Sequence, residues 1–250
     1  MNPLAIDLYA GLGGWAEGLL VEGYYVVGFD IERHQYGDAK YPGQLVLQDV
    51  LTLHGSQFRD AALIVASPPC QEFSYMAMPW SKAKAKRAAI LADPAERKRL
   101  TALFDACFRI QREAIEAAGH FIPLVVENVR GANEWVGRSR WNFGSYHLWG
   151  DVPALMPIVK QRNFKSNTGT HERTNGPGRP RFITEETVKG VGIGSVSWAQ
   201  GKGQRHPNDP RNTWSKSTAR KSASAAIAKI PFALAQYIAR VYRPDYDDRR

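Results

Sequence analysis

Short apolar runs bounded by glycine, proline or polar residues recur through the first half of the chain, and such runs predict buried β-strands. Two longer segments have apolar residues three and four positions apart, which predicts amphipathic helices. One begins at Asp93-Pro94 and ends before Gly119, and the other spans 223–241 with a break near Pro231. The predicted strands cover residues 3–9, 24–29, 45–50, 61–66 and 122–126. This order of strands and helices predicts an α/β fold with a mostly parallel sheet.

A glycine-rich turn, Ala10-Gly11-Leu12-Gly13-Gly14, separates the first predicted strand from a segment with helical spacing. Glycine lets the main chain approach a ligand closely, and a helix N-terminus offers N–H groups without helical partners. Strand, glycine turn and helix in this order open many nucleotide-binding domains. A tight turn without a ligand is the alternative interpretation.

Acidic residues stand at the ends of the second and third predicted strands. Asp30 lies 23 residues after Asp7 (30 − 7). This is near the spacing of about 20 residues at which an acid accepts the ribose hydroxyls of a nucleoside cofactor. Glu32 competes for this role from the same face of the strand. Asp49 ends the third strand, where a simple turn-forming role is the alternative.

A cysteine follows the fourth predicted strand, in the segment Ser67-Pro68-Pro69-Cys70-Gln71. The two prolines end the strand because neither can donate to a ladder. The Cys70 thiol is therefore held on a stiff turn at a carboxyl strand end, where ligands bind in open α/β sheets. The fifth strand presents Glu127, and we expect this strand to neighbour the Cys70 strand. A structural cap is the alternative for Glu127, and a buried thiol is the alternative for Cys70.

The composition favours a globular protein with a polyanionic partner. Of the 250 residues 44% are hydrophobic, and the formal net charge is +9. No apolar run is long enough to span a membrane, and the residues before Leu4 do not resemble a signal peptide. Cys107 lies on the apolar face of the long helix, so two cysteines make no disulfide framework. We expect a protein without a metal site in a reduced cytoplasm.

Taken together, the motifs resemble those of the cytosine-C5 DNA methyltransferases. Pro68-Pro69-Cys70-Gln71 with Phe73-Ser74 is similar to the nucleophile motif of this family, and Glu127-Asn128-Val129 to its second catalytic motif. Asp7-Leu8-Tyr9-x-Gly11-x-Gly13-Gly14 resembles its S-adenosylmethionine motif, in which phenylalanine usually stands in place of Tyr9. Residues 225–239 resemble its final motif, although Ser222-Ala223-Ser224 replaces the usual Gly-Asn-Ser. The small size suits a phage-type member, and for such a member we expect a monomer in the cytoplasm of a bacterium or a phage-infected host cell.

The resemblance implies a Rossmann-like S-adenosylmethionine-dependent methyltransferase fold with a mostly parallel sheet and a small irregular recognition region. Cys70 would then be the nucleophile toward C6 of cytosine, and Glu127 would contact N3 and the exocyclic amine. S-adenosyl-L-methionine would be the cofactor, with Asp30 on the ribose and Ile31 on the adenine ring. The implied cofactor-binding residues are Asp7, Leu8, Tyr9, Gly11, Gly13, Gly14, Asp30, Ile31, Asp49, Val50 and Pro68.

Double-stranded DNA is the implied partner, and its target cytosine must be flipped out of the helix. Residues 71–93 would close over the DNA as a mobile loop, and a solvated basic helix is the alternative. The family's Gln-x-Arg-x-Arg motif has no clear counterpart, and residues 161–165 and 179–182 are both candidates. The expected nucleic-acid-binding residues are Gln71, Ser74, Lys82, Lys84, Lys86, Arg162, Lys165, Arg179, Arg181 and Arg205.

We predict a catalytic and cofactor-binding domain at 1–147, a small target-recognition region at 148–221, a returning helix at 222–242 and a tail at 243–250. The first of these boundaries precedes a predicted turn that leads into another strand. The leading hypothesis is methyl transfer to C5 of cytosine in DNA. The same chemistry on tRNA or a free cytosine nucleotide, and a non-catalytic DNA-binding homologue, are the alternatives. A Rossmann-type dehydrogenase is disfavoured because it has no use for the Pro-Pro-Cys-Gln turn.

Overall fold

The structure, a computed structural model, describes residues 2–71, 73, 80–143, 146–156, 225 and 228–244. Nine strands are assigned in this part of the chain: β1 (Leu4–Leu8), β2 (Tyr25–Asp30), β3 (Gln35–Tyr36), β4 (Ala39–Lys40), β5 (Gln44–Leu47), β6 (Ala61–Ala66), β7 (Leu124–Asn128), β8 (Trp141–Phe143) and β9 (Tyr146–Gly150). Seven of them form one sheet in the order β5-β2-β1-β6-β7-β9-β8, and β3 and β4 form a separate hairpin. Five adjacent strands of this sheet, β5, β2, β1, β6 and β7, pair in parallel. β9 is antiparallel to both of its neighbours, β7 and β8. The predicted α/β fold class with a mostly parallel sheet is therefore confirmed.

Helices cover both faces of the sheet. The described α-helices are α1 (Gly14–Val21), α2 (Trp80–Ala92), α3 (Pro94–Ala118), α4 (Asn133–Val136) and α5 (Phe232–Val241). The long helix α3 has the ends that the sequence predicts, because the Asp93 carboxylate accepts the Ala95 N–H at 2.8 Å and Gly119 adopts a φ of 72°. Residues 225 and 228 are helical, and the main chain leaves the helix at 229–231, so the break near Pro231 is confirmed.

Two hydrophobic cores lie on opposite faces of the sheet. One core packs α3 against the sheet through Phe104, Cys107 and Ile110. The other packs α1 and α5 through residues such as Trp15 and Leu234. Alternate residues of one strand enter different cores because successive side chains of a strand point to opposite faces. Each residue at a strand end is therefore directed toward one helical layer.

The C-terminal helix α5 crosses α1 at very short distance. A Cβ atom added to Gly18 would lie 2.4 Å from the Gln236 main-chain nitrogen and 2.5 Å from the Ala235 carbonyl carbon. The crossing is fixed further by the buried Tyr24 hydroxyl, which donates to the Ala239 carbonyl at 2.9 Å. It is also fixed by an ion pair of 2.7 Å between Arg240 and Glu22. Only glycine fits at position 18 because the opposing atoms belong to the main chain.

Gly18→Ala is therefore expected to destabilise the protein. An ordinary glycine-to-alanine change in a helix stabilises it by about 0.5–1 kcal/mol. Here the clash should instead lower the free energy of unfolding by about 2 kcal/mol, as overpacking does. Urea unfolding would measure the change. Unchanged or increased stability of Gly18→Ala would contradict the crossing of α1 and α5.

The structure corrects the sequence interpretation at several places. The third predicted strand, 45–50, is β5 (Gln44–Leu47), and Asp49 then caps a 3₁₀ helix at Val50–Thr52. The segment expected as a loop over the site contains helix α2, so the alternative of a basic helix is correct for residues 80–92. Residues 148–150 end β9 instead of turning toward a strand, and the boundary between 147 and 148 falls within this strand. The predicted recognition region from 157 onward lies outside the described residues.

Candidate active site

The strand order of the sheet reverses between β1 and β6, which makes this position a topological switch point. From β1 the chain adds β2 and β5 on one side, and it then returns to add β6 and β7 on the other side. In open α/β sheets the loops at the carboxyl ends of the two strands beside this switch point separate and leave a crevice. Here those two loops are the glycine turn and the Pro-Pro-Cys turn. The topology therefore places the two most distinctive motifs of the sequence on opposite walls of one crevice.

The glycine turn after β1 has an unusual main-chain conformation. Tyr9, Gly11 and Gly13 all have positive φ angles, of 62°, 53° and 77°. For a large side chain such as Tyr9 this conformation is strained, and it persists only when its surroundings hold it. The Tyr9 hydroxyl donates to the Leu103 carbonyl of α3 at 2.7 Å, which anchors the turn. This bond gives the hydroxyl a role that the phenylalanine usual at this position could not fill.

Asp30 is directed at the glycine turn, whereas Glu32 is not. One carboxylate oxygen of Asp30 accepts the Gly11 N–H at 2.9 Å, and the other lies 3.6 Å from the His34 ring. The Glu32 side chain is 58% exposed and lies near His34. Between the two acids, Ile31 has 73% of its surface exposed. The strand end thus presents a carboxylate and an uncovered apolar side chain beside the turn.

Asp7 is a buried carboxyl group beneath the same turn. The Tyr41 hydroxyl donates to its Oδ2 atom at 3.2 Å, while its Oδ1 atom is buried without a hydrogen-bond partner in the described structure. Burial raises the pKa of Asp7 well above its ordinary value, and the nearby Asp30 charge acts in the same direction. The Tyr41 ring fills the space beside Gly13 and Gly28, where a Cβ atom would clash with it. No local sequence pattern distinguishes Tyr41, so only the structure reveals its position beside Asp7.

Two further residues expected in the cofactor site follow β5. The Asp49 Oδ1 atom accepts the Leu51 N–H at 2.9 Å, so the turn-forming interpretation is correct for that oxygen. This cap leaves the second carboxylate oxygen able to accept another hydrogen bond. The Val50 side chain is buried in the core with Leu53 and Phe58. Any contact of Val50 with a ligand would therefore come from its main chain.

The Cys70 turn is attached to both neighbouring strands. The Ser67 N–H continues the ladder to the Leu8 carbonyl at 3.1 Å, and the Trp15 indole donates to the Ser67 hydroxyl at 3.0 Å. On the other side, the Asn128 amide donates to the Pro68 carbonyl at 2.8 Å. Cys70 itself is half-buried and is not in a disulfide. Its thiol is thus carried by a turn that is connected to α1 and to the end of β7.

Glu127 lies on the strand next to β6, as expected. β6 and β7 pair in parallel with Ala66 opposite Val126, so Glu127 is one residue beyond the paired end of β6. Glu127 is buried, with 7% of its surface exposed. It shares a face of the sheet with Tyr146 on β9. Burial is the main cause of the raised pKa of Tyr146, and the Glu127 charge raises this pKa further. A buried carboxyl group therefore stands at the same sheet edge as the Cys70 turn.

Not all expected DNA-contacting residues can be located. Gln71 is exposed beside Cys70, and Lys84 and Lys86 lie on α2, where Arg87 pairs with Glu134. Helix α2 packs on the core through Ala83 and Ile90. The remaining residues lie outside the description, entirely or in their side chains: Ser74, Lys82, Arg162, Lys165, Arg179, Arg181 and Arg205.

The comparisons bear directly on this site. Residues 4–95, which carry both the glycine turn and Cys70, match the model of the C-5 cytosine-specific DNA methylase family. The family resemblance indicated by the motifs is thereby confirmed for this segment. Glu127 and the C-terminal helix lie beyond the match. No match was found among the curated proteins.

Several solved structures resemble this chain. A candidate DNA modification methyltransferase encoded within an E. coli prophage is 21% identical with a TM-score of 0.34, covering 52% of this chain and 33% of its own. The methyltransferase EhMeth of Entamoeba histolytica is 14% identical with a TM-score of 0.46, covering 100% and 99%. The Dnmt2 methyltransferase of S. pombe is 12% identical with a TM-score of 0.46, covering 96% and 98%. The chain spans about a third of the length of the prophage-encoded protein.

Among the described residues no helix is long and apolar enough to cross a membrane. In the same part of the chain, no three histidine, cysteine, aspartate or glutamate side chains are grouped so that they could hold a metal ion.

Proposed function

We propose that this protein transfers a methyl group from S-adenosylmethionine to C5 of cytosine in DNA, through a covalent bond between Cys70 and the flipped base. The observation that carries the proposal is the placement of the glycine turn and the Cys70 turn on the two sides of the switch point between β1 and β6. The family match over residues 4–95 supports methyl transfer to cytosine in general. Glu127, on the adjacent strand β7, supplies a buried carboxyl group at the same edge.

The residues around the glycine turn fit an S-adenosylmethionine molecule. Asp30 offers carboxylate oxygens for ribose hydroxyls, and exposed Ile31 offers an apolar surface for the adenine ring. The space beyond Gly11 is open, because a Cβ atom there would meet only the Tyr9 carbonyl at 3.9 Å. The partnerless Oδ1 atom of Asp7 supplies a further buried polar group beneath the turn. When bound, this cofactor supplies an electrophilic methyl group.

The chemistry assigned to the chain's own residues is covalent catalysis. Cytosine C5 is a weak nucleophile until a thiolate adds to C6, and Cys70 Sγ forms that bond. Glu127 contacts N3 and the exocyclic amine and stabilises the charge that develops on the ring during the attack. After C5 carries the methyl group, loss of the C5 proton lets the Cys70 thiolate leave.

Double-stranded DNA is the proposed substrate because the chain is basic, and a basic surface favours a polyanionic partner. The net charge of +9 favours phosphate contacts, and the exposed Lys84 on α2 follows the Cys70 turn in sequence. A cytosine within a duplex cannot present C6 to Cys70, so the base must leave the stack. Arginine and lysine residues of 160–221 are proposed to contribute the remaining backbone contacts.

The proposal is tested by measuring methyl acceptance with three substrates. The purified protein would be incubated with labelled S-adenosylmethionine and duplex DNA, tRNA or dCMP, and products mapped at base resolution. We expect 5-methylcytosine in duplex DNA only. Methylation of tRNA or dCMP alone would overturn the DNA assignment, and transfer to none of the three would overturn the proposed reaction.

Asp30→Asn is expected to weaken the binding of S-adenosylhomocysteine by about 10- to 50-fold, the effect of losing charge-assisted hydrogen bonds. The neighbouring acid provides a matched control, because Glu32 is exposed and does not contact the glycine turn. Glu32→Gln should change the dissociation constant by less than about threefold, as usual for an exposed charge. Isothermal titration calorimetry measures both variants. Equal losses would contradict the assignment of Asp30 to the ribose.

A further inference from the structure

One short segment of the chain contacts both halves of the proposed site. Residues 229–231 precede α5 and lie against the start of α1, where a Cβ atom on Gly14 would be 2.4 Å from the Ile230 nitrogen. The Lys229 ammonium pairs with Glu17 one turn further along α1. The Ile230 side chain is buried in the core beneath this helix. The segment therefore supports the helix that begins at the glycine turn.

The same segment is bonded to the strand that neighbours Glu127. The hydroxyl of Tyr146, the first residue of β9, donates to the Lys229 carbonyl at 3.1 Å. β9 pairs with β7 so that Leu148 is opposite Glu127, which places Tyr146 diagonally across from Glu127 on the same face. Tyr146 is itself buried, with 6% of its surface exposed. Its ring and hydroxyl thus connect the surroundings of Glu127 with residues 229–231.

We propose that Tyr146 is a positioning residue that links the cofactor turn to Glu127 through residues 229–231. Tyr146 holds the Lys229 carbonyl, the adjacent Ile230 main chain supports Gly14, and the tyrosine ring packs beside Glu127. The inference rests on the proposed function, because it concerns how the two halves of that site are held in register. A displacement of a few tenths of an ångström at 229–231 would reach the glycine turn directly, because the contact is between main-chain atoms.

The charge of Glu127 is close enough to act on Tyr146. Burial raises the pKa of Tyr146 most, and the Glu127 charge raises it further. The tyrosine therefore stays protonated and donates to the Lys229 carbonyl at all pH values at which a methyl-transfer assay is run. A protonated hydroxyl is also what the geometry requires, because the Lys229 carbonyl oxygen can only accept a hydrogen bond.

The chain offers a closely matched control for this hydroxyl. Tyr24 is also buried, and its hydroxyl also donates to a main-chain carbonyl of the C-terminal segment, that of Ala239 at 2.9 Å. This second bond lies near the opposite end of α5 from residues 229–231. Tyr146→Phe and Tyr24→Phe each remove one hydroxyl and leave one carbonyl without that donor, so their costs in stability should be similar.

The experiment compares these two variants in three measurements. Tyr146→Phe is expected to weaken S-adenosylhomocysteine binding about fivefold and to lower kcat about tenfold, with KM for DNA within about twofold. In the ligand-free protein it should also raise the amide hydrogen exchange of the glycine turn, residues 10–14. Tyr24→Phe should lower the melting temperature by a similar amount and leave the dissociation constant, kcat and the exchange of residues 10–14 close to the unmodified protein.

Equal effects of the two variants on binding, kcat and exchange would overturn the inference, because they would reduce Tyr146 to a stabilising residue. The exchange measurement requires neither DNA nor methyl transfer. If the unmodified protein methylates no substrate, the proposed function fails, while the exchange of residues 10–14 still decides whether Tyr146 supports the glycine turn.

Discussion

Cys70→Ala is expected to abolish methyl transfer, with a loss of at least about 10⁴-fold, because no other group can form the bond to C6. The affinity for S-adenosylhomocysteine should stay within about twofold, because the glycine turn is anchored independently of the thiol. Its supports are the Tyr9 hydroxyl on the Leu103 carbonyl and the Asp30 carboxylate on the Gly11 N–H. Activity is measured by transfer of a labelled methyl group to duplex DNA, and affinity by calorimetry.

A trapping experiment separates covalent from non-covalent catalysis. Duplex DNA with 5-fluorocytosine at the target position cannot lose a proton from C5, so the attacking sulfur remains attached to the base. The unmodified protein should form a complex that survives denaturation, and Cys70→Ala should form none. Methyl transfer by Cys70→Ala at a normal rate would exclude the covalent mechanism.

The second cysteine provides the control for this experiment. Cys107 is fully buried on α3, where its thiol donates to the Leu103 carbonyl at 3.5 Å. Burial raises the pKa of this thiol, which disfavours the thiolate that a nucleophile requires. Cys107→Ala should cost about 1 kcal/mol of stability, as expected for a small cavity. It should retain trapping and methyl transfer, so an effect confined to Cys70 cannot be ascribed to removal of a thiol in general.

Glu127→Gln is expected to slow methyl transfer by about 10²- to 10³-fold, the usual cost of losing an acid–base or electrostatic partner of the reacting group. Glutamine has nearly the same shape, so the packing of β7 between β6 and β9 should persist. The neutral amide cannot transfer a proton to N3, so the negative charge that thiolate attack places on the ring would not be neutralised. Single-turnover transfer to DNA measures the rate without a contribution from product release.

Glu113→Gln tests whether such a loss is a general effect of removing a half-buried, hydrogen-bonded carboxylate. Burial disfavours the ionised form of Glu113, but the Gly55 N–H and the Arg109 guanidinium lower its pKa below the ordinary value. Arg109 lies on α3, and Gly55 begins a 3₁₀ helix at Gly55–Phe58, so neither partner belongs to the Cys70 turn. Glu113→Gln should lower the melting temperature while leaving the single-turnover rate within about twofold. A similar rate loss in both variants would contradict a role of Glu127 at the reacting base.

Much of the fold could be predicted because its determinants are local. The Pro68-Pro69 pair ends β6 by removing donors, and the Asp93 cap and Gly119 set the ends of α3. The β3–β4 and β8–β9 hairpins could not be predicted in the same way. β9 exists as a strand because it pairs with β7, and that pairing depends on residues about 20 positions away in the chain.

The residues of the candidate site also fall into two groups, those that local sequence identifies and those that only long-range contacts identify. Cys70, Glu127, Asp30 and the glycine turn were identifiable because each is a distinctive residue type at a predicted strand end. Tyr41, Asn128 and Tyr146 acquire their roles from partners distant in sequence, namely Asp7, Pro68 and Lys229. The choice between Asp30 and Glu32 likewise required the position of Gly11. Hydrogen bonds of this kind leave no periodic signal.

By itself, the sequence determined strands β1, β2, β6 and β7, helices α3 and α5, and the reactive side chains at the strand ends, because hydrophobic period, proline and glycine act within a few residues. Tertiary structure alone decided that the Cys70 turn and the glycine turn flank one switch point, and that residues 229–231 brace the start of α1. These relations join segments up to about 215 residues apart (230 − 14 = 216). Long-range packing and hydrogen bonding create them, and both depend on the complete set of neighbours around each side chain.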